Sequence, residues 1–272
     1  MICFPNAKIN LGLNVIEKRS DNFHNIETVF YPIDWCDALE VIETKNLDSD
    51  FNLNLSGITI DGNIEDNLLY KAYHLINKIK PLPNVTVYLH KALPMGAGLG
   101  GGSADAAFFI NLLNQQFELN LSEAQRLEIA RPLGSDCAFF IHNKPVFAQE
   151  RGDVFNPVEL DLSRYYIAVI YPDVHSNTKD AYSLVKPAKP TKSIIEIIKQ
   201  PVETWKNELV NDFETSIFSK YSNVEKTKHK LYDLGAIYAS MSGSGSAVFG
   251  LFDTLPVLSG LDHFPHWIGK MK

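Results

Sequence analysis

The residues best equipped for chemistry are concentrated in a few short stretches. The densest is Leu93-Pro94-Met95-Gly96-Ala97-Gly98-Leu99-Gly100-Gly101-Gly102-Ser103-Ala104. Glycines at that density remove Cβ atoms where backbone must approach something closely, and they expose successive N–H groups able to bind an anion. A strand-like stretch precedes the run (Val85 to His90, alternating) and an alanine-rich apolar stretch follows it (Ser103 to Leu113). A strand, a glycine loop and a helix N-terminus together make a phosphate cradle, because loop amides and helix dipole both favour negative charge. The loop is not of the Walker A type, since Ser103 and Ala104, not a lysine, follow Gly102. Nor is it a dinucleotide fingerprint: Gly96-Ala97-Gly98-Leu99-Gly100-Gly101 has the spacing, but no acidic residue closes a second parallel strand at the required distance.

Four further stretches carry polar groups. Lys8 and Asn10 are two apart in an opening strand and so share a face; the plainer expectation for that face is solvent. Asp136, in Gly134-Ser135-Asp136-Cys137, stands just after a helix stop and before an apolar run. It is placed either to cap the next helix or to accept a hydroxyl proton or hold Mg²⁺. Ser240-Met241-Ser242-Gly243-Ser244-Gly245-Ser246 is a second bare-backbone loop, a tight turn or a ligand approach. Arg19-Ser20-Asp21-Asn22-Phe23-His24 delivers an aromatic ring and an imidazole side by side, able to stack on and hydrogen-bond a nucleobase.

The elements that must position these groups can be read from periodicity. Ile9, Leu11, Leu13 and Val15 alternate with polar neighbours, as do Phe51, Leu53 and Leu55, and residues 26–33 and 38–44 are strand-like. Helices are expected over 68–79, capped by Asp66 or Asn67, and over 122–131, where Ser122-Glu123-Ala124-Gln125 has capping-box form. Ser103 is the expected cap of the helix after the glycine loop. The pattern breaks between Arg151 and Arg164; beyond it come a buried strand at 165–171, helices near 193–199, 203–210 and 223–234, and a strand at 247–252. Mixed elements without regular alternation favour α+β over a doubly wound sheet.

Composition narrows the class. The 272 residues are 45% hydrophobic and 21% charged, ordinary for a soluble globular enzyme. A net charge of −7 argues against a nucleic-acid surface, so phosphate handling must be a local feature. Cys3, Cys36 and Cys137 are scattered and odd in number, suggesting neither a disulfide framework nor a zinc site. No apolar run reaches membrane-spanning length, and the start has no signal-peptide pattern; a cytoplasmic protein is expected.

Taken together and in order, these stretches resemble the GHMP kinase superfamily, whose loop pattern Pro-x-x-x-Gly-Leu-Gly-Ser/Gly-Ser-Ala/Ser is closely matched by Pro94 to Ala104, with one extra glycine. Within it, Pro5-Asn6-Ala7-Lys8-Ile9-Asn10, Arg19-x-Asp21-x-Phe23-His24, Gly134-Ser135-Asp136 and Asn211-Asp212-Phe213-Glu214 look like the branch that phosphorylates an alcohol carried on cytidine diphosphate. The resemblance implies a two-domain fold: an N-terminal ribosomal protein S5 domain 2-like part (1–152) and a C-terminal ferredoxin-like α/β sandwich (153–272). It implies ATP with Mg²⁺ as cofactor. Its acceptor is cytidine diphosphate-linked methylerythritol, phosphorylated at the 2-hydroxyl, with no nucleic-acid or membrane partner; oligomeric state is left open.

By the same resemblance Lys8 and Asp136 form the catalytic pair. ATP is bound by Asn67, Lys91, Pro94, Met95, Gly96, Ala97, Gly98, Leu99, Gly100, Gly101, Gly102, Ser103 and Ala104. Asn10, Phe23, His24, Thr178 and Tyr182 meet the acceptor, with Tyr182 closing a base sandwich opposite Phe23, and Ser103 and Asp136 are the candidate Mg²⁺ ligands. Departures from the family pattern are Phe23 for tyrosine, Ala138 for proline and Asp105 for asparagine. Alternatives are a homoserine- or mevalonate-type kinase of the same superfamily, whose acceptors need no base site, and a non-catalytic relative, expected to lack Lys8 or Asp136.

Overall fold

Alternation of branched and aromatic residues with polar ones builds the strands of the computed structural model, which describes residues 1–45 and 49–272. In chain order they are β1 (Ile2–Cys3), β2 (Asn6–Lys18), β3 (His24–Cys36), β4 (Ala38–Glu43), β5 (Phe51–Gly57), β6 (Val85–Lys91), β7 (Val146–Gln149), β8 (Val154–Pro157), β9 (Tyr166–Ile170), β10 (Tyr238–Met241), β11 (Val248–Phe252) and β12 (His266–Lys270). The helices are α1 (Leu68–Asn77), α2 (Gly101–Gln116), α3 (Glu123–Ala130), α4 (Cys137–His142), α5 (Thr178–Ala181), α6 (Ile194–Ile198), α7 (Glu214–Lys220) and α8 (Ser222–Asp233). They assemble two compact units, each drawn from separated stretches: 1–7, 36–94 and 100–143 in the first, and 8–35, 95–99 and 144–272 in the second.

In the first unit the sheet order is β1-β4-β6-β5, with β5 parallel to β6 and the other pairs antiparallel. Helices α1 and α2 cover one face. Leu69, Ala72, Tyr73 and Ile76 recur at helical spacing and give α1 its buried stripe. The ring of Phe51 packs among Tyr70, Tyr73 and Phe109, tying β5 to both helices. Asn67 caps α1, its Oδ1 accepting from the Leu69 amide at 2.9 Å. The expected capping box opens α3, with Ser122 and Gln125 exchanging hydrogen bonds.

Helix α2 starts earlier than expected. Ser103 is not its cap; Gly100, at φ +74°, turns the chain into the helix, and Gly101 is already helical. The reason is steric: a Cβ on Gly101 would press on Leu93 and on the Lys91 ammonium, both 3.3 Å away, so only glycine brings the first turn down onto β6.

The second unit holds two sheets, β10-β11-β9-β12 and β2-β3-β7-β8, apart from Asn6 and Ala7 of β2 and Cys36 of β3, which are counted with the first. One core joins Leu13 and Val15 of β2 to Ala168 and Ile170 of β9, Ile217 of α7, Val224 and Leu231 of α8, and Val248 of β11. The helix expected over 203–210 is instead a 3-10 turn at Val202–Asn207. Gly235, at φ +95°, follows α8 as its expected stop.

Candidate active site

In the second unit, β2 is buried on both faces. Ile9, Leu11, Leu13 and Val15 sit in the core, but Lys8, Asn10 and Asn14 are also only 3%, 2% and 7% exposed. The expectation of a solvent-washed polar face is therefore corrected. An ammonium that deep requires partners. Lys8 Nζ donates to Asn10 Oδ1 at 2.6 Å and lies 4.8 Å from the centre of the Phe30 ring. Asn10 Nδ2 donates in turn to Thr28 Oγ1 at 3.0 Å, and Thr28 Oγ1 donates to the Gly12 carbonyl at 2.5 Å. The strand thus presents a lysine whose position is fixed by a chain of hydrogen bonds.

The leading part of the glycine loop, 95–99, belongs to the same unit. Lys8 N–H donates to the Leu99 carbonyl at 3.0 Å and Ala247 N–H to the Ala97 carbonyl at 3.0 Å. Gly96 and Gly98 have φ of +64° and +77°. A side chain on Gly96 would strike the His175 imidazole, and one on Gly98 the Ser242 carbonyl. The second bare-backbone loop is therefore a neighbour of the first: Ser242 Oγ donates to the Gly98 carbonyl at 2.9 Å.

The turn before β3 is built by charge. Asp21 Oδ1 accepts from the Phe23 amide at 3.1 Å, and Arg19 reaches both Asp21 and Asn25. The ring that faces Tyr182 is His24, with centroids 4.4 Å apart and planes 19° from parallel. Phe23 stands outward, 55% exposed, with the Arg151 guanidinium 5.3 Å over its ring. Consecutive side chains of this turn thus point in different directions, His24 toward Tyr182 and Phe23 outward. Burial, and after it the charge of Lys18, hold the His24 imidazole below its ordinary range and so neutral at pH 7. Thr178 begins α5 and is exposed, with Asn177 as the cap.

In the first unit, the trailing glycines open α2. Gly102 has no atom within 4 Å of where its Cβ would be, so the start of this 16-residue helix faces open space. Ser103 lies in that first turn, its Oγ 3.5 Å from the Cβ position of Gly134. Asp136 stands at the N-cap position of α4, and its side chain makes no capping hydrogen bond to that helix. Cys137 is buried beside it, and burial pushes its thiol up to about 11, out of nucleophilic reach.

Lys91, which the resemblance assigns to the nucleotide, is 2% exposed. It continues the inward face of β6 after Val85, Val87 and Leu89, and its ammonium is enclosed by two carboxylates. Asp37 Oδ2 and Asp105 Oδ2 both accept from Nζ, the latter at 2.7 Å. Burial opposes the charge on Lys91, but Asp105 and Asp37 outweigh it and hold the amine protonated. The same burial pushes Asp105 up to about 7. Asp37 Oδ1 also accepts from the Ala92 and Leu93 amides, at 2.6 and 2.8 Å, fixing the backbone that leads into the loop. Sequence reasoning passed over Asp37; a lysine ending a buried strand face was the signal that such a partner had to exist. Asn67, besides capping α1, lines a cavity of about 220 Å³ with Leu53, Leu55, Ile60 and Asp66.

Comparison with known proteins decides the family. The GHMP kinase N-terminal domain model matches residues 67–144, and the GHMP kinase C-terminal model matches 194–257. A Bacteroides fragilis protein named 4-diphosphocytidyl-2-C-methyl-D-erythritol kinase is 53% identical over 262 residues, covering 96% of each chain. The chain belongs to the GHMP kinase family. A solved structure titled 4-(cytidine 5'-diphospho)-2C-methyl-D-erythritol kinase superimposes on this GHMP kinase with TM-score 0.78 at 29% identity, covering 92% of this chain and 90% of that one. The Methanococcus jannaschii mevalonate kinase shares the fold at TM-score 0.68 and 12% identity, over 100% of this chain and 98% of its own. The two-domain α+β kinase fold implied by the loop is thus the fold observed. The chain is an ATP-using kinase. Among the described residues no helix is long and apolar enough to cross a membrane.

Proposed function

We propose that this kinase transfers the γ-phosphoryl group of ATP to the 2-hydroxyl of 4-diphosphocytidyl-2-C-methyl-D-erythritol, on the non-mevalonate route to isoprenoid precursors. The observation that carries the acceptor is the aromatic group of His24 stacked on Tyr182 beside the outward ring of Phe23. A polyol or amino-acid acceptor has no use for flat rings; a cytosine does. The relatives named above support the same acceptor.

In this reading Asp136 takes the proton of the 2-hydroxyl as its oxygen bonds to the γ-phosphorus. The bond from that phosphorus to the β,γ-bridging oxygen breaks, and ADP leaves. Lys8 supports the charge that spreads over the transferring group, its ammonium held in place by Asn10. Phosphoryl transfer asks mainly for alignment and charge stabilisation, which a base, a cation and loop amides supply. The glycines from Gly96 to Gly102 take the phosphates, with Pro94, Met95, Ala97, Leu99, Ser103 and Ala104 completing the loop. The cavity beside Asn67 takes the adenine end. Lys91 serves the nucleotide through backbone held by Asp37, since its ammonium is engaged.

Mg²⁺ fits as a cation brought by the nucleotide. Among the described residues no three His, Cys, Asp or Glu side chains are gathered to hold a metal by themselves. Such a cation takes most of its ligands from phosphate and water, and Ser103 and Asp136 would add the protein's share. Asn10, Phe23, His24, Thr178 and Tyr182 hold the acceptor. The stretch 1–152 then carries the nucleotide loop and catalytic pair, and 153–272 completes the acceptor site through Thr178 and Tyr182. ADP release measured with the cytidine-linked alcohol, homoserine and mevalonate tests this; turnover confined to the first supports it, and turnover of either other alcohol alone refutes it.

A further inference from the structure

The run Asn211-Asp212-Phe213-Glu214 takes no part in the chemistry above, yet it holds backbone that does. Asn211 is 3% exposed, and its whole carboxamide is used. Nδ2 donates to the carbonyls of Met241 at 2.8 Å and Gly243 at 2.9 Å, while Oδ1 accepts from the Phe213 amide at 3.0 Å. Glu214 Oε1 accepts from the Met241 amide at 2.9 Å, so the segment is gripped on both its donor and acceptor sides.

The gripped segment, 241–243, touches two groups assigned to phosphoryl transfer. Ser242 Oγ donates to the Gly98 carbonyl, and Gly98 has no room for a side chain against the Ser242 carbonyl. On its other side, a Cβ on Gly243 would stand 3.2 Å from Asn10 Oδ1 and 3.4 Å from Lys8 Nζ. Asn211 therefore lies one backbone segment away from both the phosphate loop and the Lys8–Asn10 pair.

We propose that Asn211 is a positioning residue for phosphoryl transfer: by fixing residues 241–243 it sets the places of Gly98 and of the Lys8–Asn10 pair. The proposal rests on the kinase reading above. Without the carboxamide, the buried carbonyls of Met241 and Gly243 lose the Asn211 donor, Met241 keeping only the longer bond from Ser240 Oγ at 3.4 Å, and the segment relaxes. Displacing reacting groups by about 1 Å costs on the order of 100-fold in rate.

The test uses the full chain carrying Asn211→Ala and, separately, Asn211→Asp, which keeps the size and the acceptor for Phe213 but removes the donor. Both are confirmed folded by circular dichroism and thermal unfolding. The expected result is a fall in kcat of about 100-fold with KM for the cytidine-linked alcohol changed less than about threefold. The fall is expected to be non-additive with Ser242→Ala, because both act through one segment. A folded variant with unchanged kcat, or strictly additive effects, overturns the proposal. Hydrogen exchange gives a readout independent of the acceptor. The amides of Ser242 and Ala247, bonded to the carbonyls of Ala247 and Ala97, should exchange at least about tenfold faster in Asn211→Ala while those of β12 do not change. Unchanged exchange at Ser242 and Ala247 overturns the proposal even if the wild type turns over no cytidine-linked alcohol, an outcome that would instead refute the acceptor.

Discussion

A lysine at the inward end of a strand has to be met by carboxylates, and Lys91 is met by two. Burial pushes the carboxyl of Asp105 up to about 7, and among the described residues its Oδ1 has no hydrogen-bond partner. Its raised folded pKa means that the native state holds this proton more tightly than the unfolded chain does. The stability it contributes is complete below about pH 4 and is lost as pH rises through about 7. Asp105→Asn removes this dependence. In protein free of nucleotide and metal, the melting temperature of the variant should gain on the wild type steadily between those values, and a gap independent of pH would contradict the assignment. Asp105 is the fifth residue of α2, past its first turn, and its carboxyl is engaged by Lys91. At the reacting centre, Asp136→Asn should lower kcat by a factor of about 10²–10⁴ with ATP affinity, measured by calorimetry, unchanged. Near-normal turnover would remove Asp136 from the proton transfer. The types of the chemical residues were legible in the sequence. The partners that hold them, Asp37, Thr28 and Asn211, were not, because each is far along the chain from the group it serves.

At the scale of the elements, periodicity found most strands and the long helices, and it failed where a segment is short or enclosed on every side. Strand β2 alternates cleanly in sequence, yet both its faces are buried, so alternation alone misjudged Lys8 and Asn10. The start of α2 was misplaced for a related reason: glycine is a poor helix former, and only the closeness of Leu93 and Lys91 to Gly101 explains a helix that begins there. The same geometry separates two glycines of one loop. Gly98→Ala, at φ +77° and against the Ser242 carbonyl, should weaken ATP binding and lower the melting temperature together. Gly102→Ala meets nothing within 4 Å and should fold as well as the wild type or better, alanine being favoured in a helix by about 1 kcal/mol. If the phosphates use that opening, its KM for ATP rises although its melting temperature does not fall. Unchanged KM would move the phosphates elsewhere.

For the molecule as a whole, the order of elements was readable but the grouping was not. The opening strand and residues 95–99 join the C-terminal stretches in one unit through long-range pairings such as Leu13 with Asn211, which no local pattern announces. The family, by contrast, was legible in a single loop together with Lys8 and Asp136, because the chemistry of phosphate binding constrains neighbouring residues. The acceptor depends on fewer groups, Phe23, His24, Thr178 and Tyr182, and is the claim most open to refutation. Its most direct measurement is ADP release by the purified chain with ATP, Mg²⁺ and each of three alcohols at equal concentration. The account predicts turnover with 4-diphosphocytidyl-2-C-methyl-D-erythritol and none above background with homoserine or mevalonate. Turnover of homoserine or mevalonate without turnover of the cytidine-linked alcohol would contradict it.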